Sequence, residues 1–573
     1  MTDGLAQATG PDTTLTILRD RHGRVRSETV DGRELTYVYD EFGRPTARTT
    51  PSGATTTWTY DESGRRTGMT ASGRSIDFTY DEAGRELARQ VGEILTLEHT
   101  FDTVGRLTTQ SVVGATGTSL QHRAYSYRAD GNLTAIDDQL SGTRSFDLDA
   151  TGRVTAVHAA NWTETYAYDE AGNQSRASWP KSHPGQEATG TREYTGTRIT
   201  RAGNVRYDHD ALGRITLRQK TRLSRKPDTW RYEWDAEDRL TSVTTPDGTR
   251  WRYTYDVLGR RAAKLRLAAD GETAVEKVQF TWDGTTLCEQ TTTSPDLPNP
   301  VILTWDHQGL RPIAQTERIT TADAPQDEID ARFFAIVTDL VGTPTELIDE
   351  QGDIAWHTRT TLWGTTAWAA NSTTYTPLRF PGQYFDPETG LHYNFFRHYD
   401  PETARYLTPD PLGLLPAPNP AAYVPNPHTR SDSLGLAPDY PGGEDSRGTF
   451  DFREPNPNYP PNSAATEAMR SAPTGGNIDC SEIAEYILRR TEGDGKIINF
   501  TAHNDPVINI PENSGKVVTE YRYHDVYTDG RYVYDPAMRS TPIPYGDYER
   551  AIRLLNPGKK LLVQDGGYSG PLW

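Results

Sequence analysis

The chain has 573 residues and a formal net charge of −19, and only 34% of its residues are hydrophobic. Its 30 Tyr, 12 Trp and 14 Phe are too many for a disordered chain. The acidic balance argues against a broad nucleic-acid surface. Aromatic residues spread through a polar, Gly-rich chain favour many short, twisted β-strands.

The start of the chain shows no export signal. Residues 1–20 lack the basic segment and the apolar segment of a secretory signal peptide, and the chain has no run of about 18 apolar residues that could span a membrane. If the protein leaves its cell, we expect a dedicated machine to carry it. Its two cysteines, Cys288 and Cys480, are too few for a disulfide framework and are predicted to be free thiols.

Residues 1–370 are dominated by one short motif, Tyr-x-Tyr-Asp-x-x-Gly-Arg. Its first four aspartates, at positions 40, 61, 81 and 102, are 21, 20 and 21 residues apart, which is typical of a repeat array. Aromatic residues at i and i+2 lie on one face of a strand, and Gly takes the positive-φ position of the turn that follows Asp. Each copy therefore predicts a β-hairpin stabilised by its neighbours. Later copies place Asp at positions 130, 149, 169, 210, 235 and 256.

This motif resembles the tyrosine–aspartate (YD) repeats of the Rhs family. The resemblance implies a mostly β fold, in which a large antiparallel sheet spirals into a shell, either a closed cocoon or a cup. On this interpretation the Tyr, Asp, Gly and Arg residues of the repeats are scaffold. Cys288 lies on a repeat strand and is predicted to be a small core residue.

Residues 371–436 change in character and become dense in Asp-Pro and aromatic residues. They resemble the Rhs core-associated segment, which implies a plug that cuts its own chain as an aspartyl protease at Leu436–Ala437. The resemblance makes Asp410 and Asp432 the catalytic pair and lets Arg405 orient a carboxylate. Two carboxyls held close cannot both ionise, which suits acid–base chemistry. Ser433 departs from the proline usual in the family, and simple turn capping is the alternative role of both aspartates.

Residues 437–573 no longer carry the repeat. Residues 437–475 are rich in Pro, Gly and Asn and are predicted to be a linker. A helix is predicted from Asp479 to Arg490, because apolar residues recur at i and i+4 and Asp479 with Glu482 fits a capping box. Cys480 takes the first helical position, where free backbone N–H groups favour a thiolate. A buried structural cysteine at a helix start is the alternative interpretation.

A β-hairpin is predicted further along, from two aromatic-rich runs, residues 517–527 and 531–535, separated by Asp529-Gly530. A two-residue turn there pairs residues whose numbers sum to 1059. His524 on the first strand and Asp535 at the end of the second would then be direct neighbours on one face, about 5 Å apart between Cβ atoms. An aspartate so placed fixes the tautomer of the imidazole.

The order of helix-start Cys, strand His and following Asp resembles the papain-fold toxins at the ends of polymorphic toxins. Over residues 476–573 this implies a small α+β domain in which Cys480 is the nucleophile, His524 the general base and acid, and Asp535 the residue that orients His524. Asn477 or Thr474 is the candidate second donor to the oxyanion beside the Cys480 amide. His503 lies in a loop-like segment and is a weaker candidate.

The sequence therefore predicts a secreted Rhs toxin for competition between bacteria, with a self-cleaved effector that acts in the target-cell cytoplasm. Proteolysis, deamidation and transglutamination share one acyl-enzyme, so the sequence leaves the choice open. The expected partners are a cognate immunity protein, a protein substrate and a delivery machine, without cofactor, metal or nucleic acid. A metal-dependent nuclease toxin and a non-enzymatic adhesion protein are the two alternatives.

Overall fold

The computed structural model describes residues 4–222, 224–319, 330–414, 417–436, 460–472, 480–491, 495–502, 507–512, 517–539, 541–556 and 561–566. The chain divides into two compact units. The repeat unit comprises Met1–Pro411 and Asn419–Pro441, and the C-terminal unit comprises Leu412–Pro418 and Gly442–Trp573. Each unit is described separately below. In the described part of the chain, no helix is long and apolar enough to cross a membrane.

The repeat unit is built from strands that follow one another in the chain and pair in that same order. Within the described residues, each of the strands β1–β33 is antiparallel to the next. The first seventeen are β1 Gly4–Thr9, β2 Thr14–Arg19, β3 Val25–Val30, β4 Arg33–Tyr39, β5 Pro45–Thr49, β6 Thr55–Tyr60, β7 Arg66–Ala71, β8 Arg74–Tyr80, β9 Glu86–Val91, β10 Leu95–Phe101, β11 Leu107–Gly114, β12 Ser119–Tyr127, β13 Leu133–Asp138, β14 Arg144–Leu148, β15 Val154–Ala159, β16 Thr163–Tyr168 and β17 Gln174–Ser178.

A single 3-10 turn at Gln186–Ala188 separates these strands from the second half of the sheet. The sheet continues with β18 Gly190–Thr195, β19 Arg198–Ala202, β20 Val205–His209, β21 Ile215–Lys220, β22 Asp228–Trp234, β23 Leu240–Thr244, β24 Arg250–Tyr255, β25 Arg261–Leu267, β26 Ala274–Asp283, β27 Thr286–Thr293, β28 Val301–Gln308, β29 Arg311–Ile319, β30 Asp330–Thr338, β31 Pro344–Asp349, β32 Ile354–Thr360 and β33 Thr366–Trp368. The predicted, mostly antiparallel β architecture is confirmed.

The repeat motif closes each turn through its own side chains. The carboxylate of Asp40 accepts a hydrogen bond from the Arg44 amide at 2.9 Å and another from Arg44 Nε at 2.7 Å. Gly43 has φ of 83°, a conformation that costs glycine little. Arg44 then reaches the next copy, where it donates to the carbonyl of Asp61 and lies 4.8 Å from the ring centre of Tyr60. The motif therefore builds one hairpin turn and joins it to its neighbour.

Buried ion pairs connect strands that are far apart in the chain. Arg48 on β5 pairs with Asp306 on β28 at 2.7 Å, and Arg123 on β12 pairs with Glu346 on β31 at 2.5 Å. All four side chains are almost completely buried, and a buried charge is tolerated when it is paired. The sheet therefore coils so that its early strands face its late ones.

A small antiparallel sheet follows the long one within the repeat unit. Its strands are β34 Tyr384–Asp386, β35 Leu391–Asn394, β36 Arg397–Asp400 and β37 Arg405–Tyr406. The segment shares a hydrophobic core with the repeat strands, in which Tyr393 and Tyr406 are buried. Asp386 also forms a buried ion pair with Arg261 of β25 at 2.7 Å. These contacts anchor the small sheet, residues 384–406, in the repeat unit.

The C-terminal unit is a small α+β structure. Its elements are α1 Ser463–Arg470, α2 Cys480–Leu488, β38 Lys496–Ala502, β39 Ile508–Glu512, β40 Val517–Tyr521, β41 His524–Thr528, β42 Tyr532–Tyr534, β43 Ile543–Pro544, α3 Tyr545–Leu555 and β44 Leu561–Gly566. Five strands form a sheet in the order β43-β42-β41-β38-β44, and β39 pairs with β40. Helix α2 packs against β41, and α1 packs against α2.

Two local predictions for this unit were wrong. Residues 463–470 lie in the predicted linker but form α1, because Asn462 caps the helix and Ala465 and Met469 bury one of its faces. The run around His524 was expected to be a single strand from Val517 to Tyr527. It is two strands of different sheets, interrupted after Tyr521, so that His524 begins β41.

Candidate active sites

Asp410 and Asp432 of the repeat unit meet at one arginine. Nη2 of Arg397 lies 2.8 Å from an oxygen of Asp410 and 3.2 Å from Oδ2 of Asp432. The Tyr406 hydroxyl donates to the same Asp432 oxygen at 2.7 Å, and burial together with this carboxylate raises the pKa of Tyr406. All four side chains are buried. The positive charge of Arg397 therefore offsets the repulsion between two carboxyl groups that lie 22 positions apart in the chain.

Asp432 also holds the chain that leads to the predicted cleavage point. Its Oδ1 accepts a hydrogen bond from the Leu436 amide at 2.8 Å, and Arg397 Nε donates to the Gly435 carbonyl. The carbonyl of Ser433 packs so closely on Gly382 that any larger residue at position 382 would clash with it. The peptide just before Leu436 is therefore fixed beside the two carboxyls. Ala437 lies outside the described residues.

Arg405, which was predicted to orient a carboxylate, lies elsewhere. Its guanidinium donates to Asn173 at 2.8 Å and to the carbonyl of Thr197, and it stacks on Tyr194 at 5.2 Å. These contacts attach the plug to repeat strands. The position between the carboxyls belongs to Arg397, which sequence reasoning missed because several arginines precede Asp410 and spacing alone does not rank them.

Cys480, His524 and Asp535 of the C-terminal unit lie close together. Helix α2 begins at Cys480, as predicted. The His524 Nε2 atom is 2.9 Å from Oδ2 of Asp535, and both side chains are buried. The Cys480 sulfur accepts a hydrogen bond from the amide of Asp525 at 3.4 Å, so it lies against the strand that carries His524.

The charge balance of this group favours a protonated imidazole. Burial alone would lower the pKa of His524, but the Asp535 carboxylate and the hydrogen bond and charge of Cys480 raise it to about 10. Burial would raise the pKa of Asp535, but the charge of His524 lowers it overall. Nε2 of His524 is bonded to Asp535, and the other ring nitrogen, Nδ1, is buried. Nδ1 is therefore the ring nitrogen that can hold a proton for the cysteine.

The pairing of the hairpin differs from the prediction by two residues. Tyr527 pairs with Tyr534, so paired numbers sum to 1061 instead of 1059. The turn is longer because the Asp529 carboxylate accepts hydrogen bonds from the amides of Arg531 and Tyr532, which holds the chain in the turn as far as the start of β42. A shift of two residues preserves the face of each side chain. His524 and Asp535 therefore still meet.

Tyr548 on α3 completes this group, and sequence reasoning missed it. Its hydroxyl donates to Oδ2 of Asp535 at 2.6 Å, and the Ala537 amide donates to Oδ1 at 3.0 Å. Tyr548 is fully buried, and burial raises its pKa. The Asp535 carboxylate is thus held from two sides before it contacts His524. A tyrosine 13 positions after an aspartate carries no sequence signal of such a role.

Several predicted residues fall outside the described part of the chain, namely the oxyanion candidates Thr474 and Asn477 and the loop residue His503. Cys288 on β27 is fully buried, and its thiol donates to the Thr281 carbonyl at 3.3 Å. Burial raises the pKa of the Cys288 thiol. Within the described residues, no three or more His, Cys, Asp and Glu side chains are grouped so that they could hold a metal ion.

Two family models match the repeat unit. The RHS repeat model matches residues 19–55, 39–72 and 234–273, and the teneurin YD-shell model matches residues 326–416. These segments of the chain are therefore similar to RHS repeats and to the teneurin YD-shell. The YD-repeat interpretation of the sequence is thereby confirmed.

Curated relatives of this YD-repeat chain include named toxins. Double-stranded DNA deaminase toxin A of Burkholderia cenocepacia is 32% identical over 351 residues, which cover 56% of this chain and 23% of the relative. Probable deoxyribonuclease RhsB of Dickeya dadantii is 30% identical, with 55% and 21% covered. Toxin protein Tse5 of Pseudomonas aeruginosa is 31% identical, with 55% and 27% covered. The chain thus spans about a quarter of the length of these relatives.

Solved structures share the fold of the chain. The Photorhabdus luminescens Tc holotoxin pore superposes with a TM-score of 0.62 at 19% identity, covering 76% of this chain and 24% of the other. A complex of TcdB2–TccC3 with Cdc42 gives a TM-score of 0.60 at 19% identity, with 74% and 24% covered. The long sheet therefore resembles that of the Tc toxin shell.

Proposed function

We propose that this chain is an Rhs-type toxin whose C-terminal unit is a papain-like thiol enzyme that hydrolyses or deamidates a protein in the target cell. The observation that carries the proposal is the grouping of Cys480, His524 and Asp535. A buried His–Asp pair next to a cysteine at a helix start is the arrangement that activates a thiol. The relatives named as toxins support the toxin role.

The contacts of His524 suggest how the reaction would run. With Nε2 bonded to Asp535, Nδ1 holds the proton given up by the Cys480 thiol, and the thiolate of this ion pair attacks an amide carbonyl of the substrate. His524 then returns the proton to the nitrogen that leaves, either an amine or ammonia. Water, deprotonated by Nδ1, attacks the acyl-enzyme and releases a carboxylic acid, which restores the Cys480 thiolate beside the protonated His524. Asp535 stabilises the imidazolium throughout.

The repeat unit has a separate proposed activity, cleavage of its own chain at Leu436–Ala437. Asp410 and Asp432 lie together at Arg397, and Asp432 binds the amide of Leu436. One carboxylate accepts a proton from water that attacks the Leu436 carbonyl, and the other carboxyl group donates a proton to the departing nitrogen of Ala437. The cleaved effector would need a delivery machine and, in the producing cell, a cognate immunity protein.

Action on nucleic acid is the second candidate, because two relatives are named as a DNA deaminase and a probable deoxyribonuclease. Expression of residues 437–573 in bacteria tests the two candidates together. A thiol enzyme should arrest growth, leave the chromosomal DNA intact and become harmless in His524→Ala and Cys480→Ala. Degraded or mutated DNA, together with full toxicity of Cys480→Ala, would favour the nucleic-acid candidate and refute the thiol enzyme.

A further inference from the structure

Two adjacent residues of α2 meet two adjacent residues of β41 in the C-terminal unit. Cys480 lies against His524 and accepts the hydrogen bond from the Asp525 amide at 3.4 Å. The next residue, Ser481, donates its hydroxyl to Oδ2 of Asp525 at 2.6 Å. The nucleophile and its base are therefore followed by a second pair that directly connects the same two elements.

A third element completes this connection. Asn499 on β38 donates its side-chain amide to Oδ1 of Asp525 at 2.6 Å, and Asn499 and Asp525 are also paired across the two strands. Both oxygens of the Asp525 carboxylate are thus used, one by the helix and one by the neighbouring strand. Hydrogen bonds to an ionised carboxylate are shorter and stronger than neutral ones. Ser481 is buried, which limits competition from water.

The charge of Asp525 is the unexpected part of this arrangement. A carboxylate near a thiol opposes the thiolate by simple electrostatics. The carboxylate can instead serve the site by fixing the positions of the elements that it binds. Its hydrogen bond to Ser481 holds the first turn of α2 at a fixed distance from the start of β41. The backbone N–H of Asp525 then points at the Cys480 sulfur.

We propose that Asp525 is a positioning residue of the thiol site, which clamps the start of α2 to β41 through Ser481 and to β38 through Asn499. The clamp fixes the Cys480 sulfur next to His524 and keeps the Asp525 amide as a donor to the thiolate. This inference rests on the proposed thiol function. It assigns Asp525, Ser481 and Asn499 a role in reactivity without contact to the substrate.

Geometry and charge predict opposite results when the carboxylate is removed. If Asp525 acted only through its charge, Asp525→Asn would make Cys480 more reactive. If it acts as a clamp, Cys480 loses its alignment with His524 and reacts more slowly. Misplacement of a reacting group by about 1 Å can lower a rate up to about 100-fold. We therefore expect a decrease of about tenfold or more.

The test is the rate of Cys480 alkylation by iodoacetamide in the purified full chain, measured from pH 5 to pH 9 by peptide mass spectrometry. Asp525→Asn and Ser481→Ala should both be slower, most clearly below pH 7, where the thiolate depends on His524. The double variant should be no slower than Asp525→Asn, because both changes break one contact. Ser481→Thr keeps the hydroxyl and should restore the wild-type profile. Glu485→Gln, at a half-buried position of α2 where Glu485 pairs with Arg489, is the matched control.

The outcomes separate the clamp from the proposed function. Wild-type or faster alkylation in both Asp525→Asn and Ser481→Ala, with unchanged thermal unfolding, would overturn the clamp. If Asp525→Asn fails to fold, the comparison of Ser481→Ala with Ser481→Thr decides the matter alone. Slower alkylation combined with full toxicity of Cys480→Ala would support the clamp and refute the thiol enzyme. Normal alkylation combined with loss of toxicity in Cys480→Ala would do the reverse.

Discussion

The aspartates of the repeat unit and those of the two candidate sites have different kinds of partner. Asp40 binds the amide and the guanidinium of Arg44, four residues later, and Asp61, Asp149 and Asp256 bind an arginine in the same way. Asp432 instead binds Arg397, 35 positions earlier, and Asp535 binds His524, 11 positions earlier on another strand. An aspartate side chain therefore either closes a local turn or belongs to a candidate site. The position of its partner in the chain distinguishes the two roles, because the residue type is the same in both.

The largest expected effect separates Asp432 from a repeat aspartate. Asp432→Asn should abolish the break between Leu436 and Ala437, because an amide cannot exchange the proton that the reaction needs. Asp40→Asn is the matched control, since an amide oxygen can still accept the turn hydrogen bonds. Intact-mass measurement should show two associated fragments for the wild type and Asp40→Asn, and a single 63.9 kDa chain for Asp432→Asn. Complete cleavage in Asp432→Asn would refute the carboxyl pair.

A large but graded effect is expected at the His–Asp pair of the C-terminal unit. His524→Ala removes the base and should lower the rate of the effector by about 10⁴-fold, whereas Asp535→Ala removes only an orienting group and should cost less. Growth of bacteria expressing residues 437–573 at a series of inducer levels should rank the variants in that order. Equal, full toxicity of both variants would contradict the assignment.

The pH dependence of stability should report the same pair. Folding raises the pKa of His524 from 6.5 to about 10, so the folded state binds more protons than the unfolded state between these values. The stabilisation is therefore complete below pH 6.5 and is lost as the pH rises towards 10, by up to about 1.4 kcal/mol per pH unit. Urea unfolding of residues 437–573 at pH 6.5, 8 and 9.5 measures the slope. Asp535→Asn should flatten it, and an unchanged slope in that variant would contradict the pairing.

The smallest effect is expected in a repeat turn. Gly64 has φ of 82°, so Gly64→Ala should destabilise its hairpin by about 1 kcal/mol. Hydrogen exchange of residues 55–71 should detect the loss, and Ser63→Ala in the same exposed turn should not change it. Neither variant should alter self-cleavage, because the turn is scaffold. Loss of cleavage in Gly64→Ala would mean that the repeat and the candidate site are coupled.

This contrast also explains how much could be predicted from the sequence. The hairpins of the repeat unit were predictable because each turn is closed by Asp, Gly and Arg within five residues and the pattern recurs. The start of α2 at Cys480 was predictable for the same local reason. The grouping of Asp410 with Asp432 came from the family resemblance and not from spacing.

The rest depends on contacts that only the folded chain makes. Arg397 and Tyr406 reach Asp432 because β36 and β37 bring them together. Tyr548 reaches Asp535 from helix α3, which follows the hairpin in the chain. Helix α1 was missed because its capping residue lies in a Pro- and Asn-rich stretch. The register of the His524 hairpin was off by two because Asp529 enlarges the turn, although the face of each side chain was predicted correctly.

The two cysteines provide the most direct test of the central claim, that Cys480 is the nucleophile of the effector. Cys480 lies beside His524, whereas Cys288 is buried in the repeat sheet with its thiol on a backbone carbonyl. The measurement is the growth of bacteria that produce residues 437–573 with or without Cys480→Ala, alongside self-cleavage of the full chain with or without Cys288→Ala. We expect Cys480→Ala to abolish toxicity and Cys288→Ala to leave cleavage unchanged. Full toxicity of a folded Cys480→Ala variant would show that Cys480 is not the nucleophile.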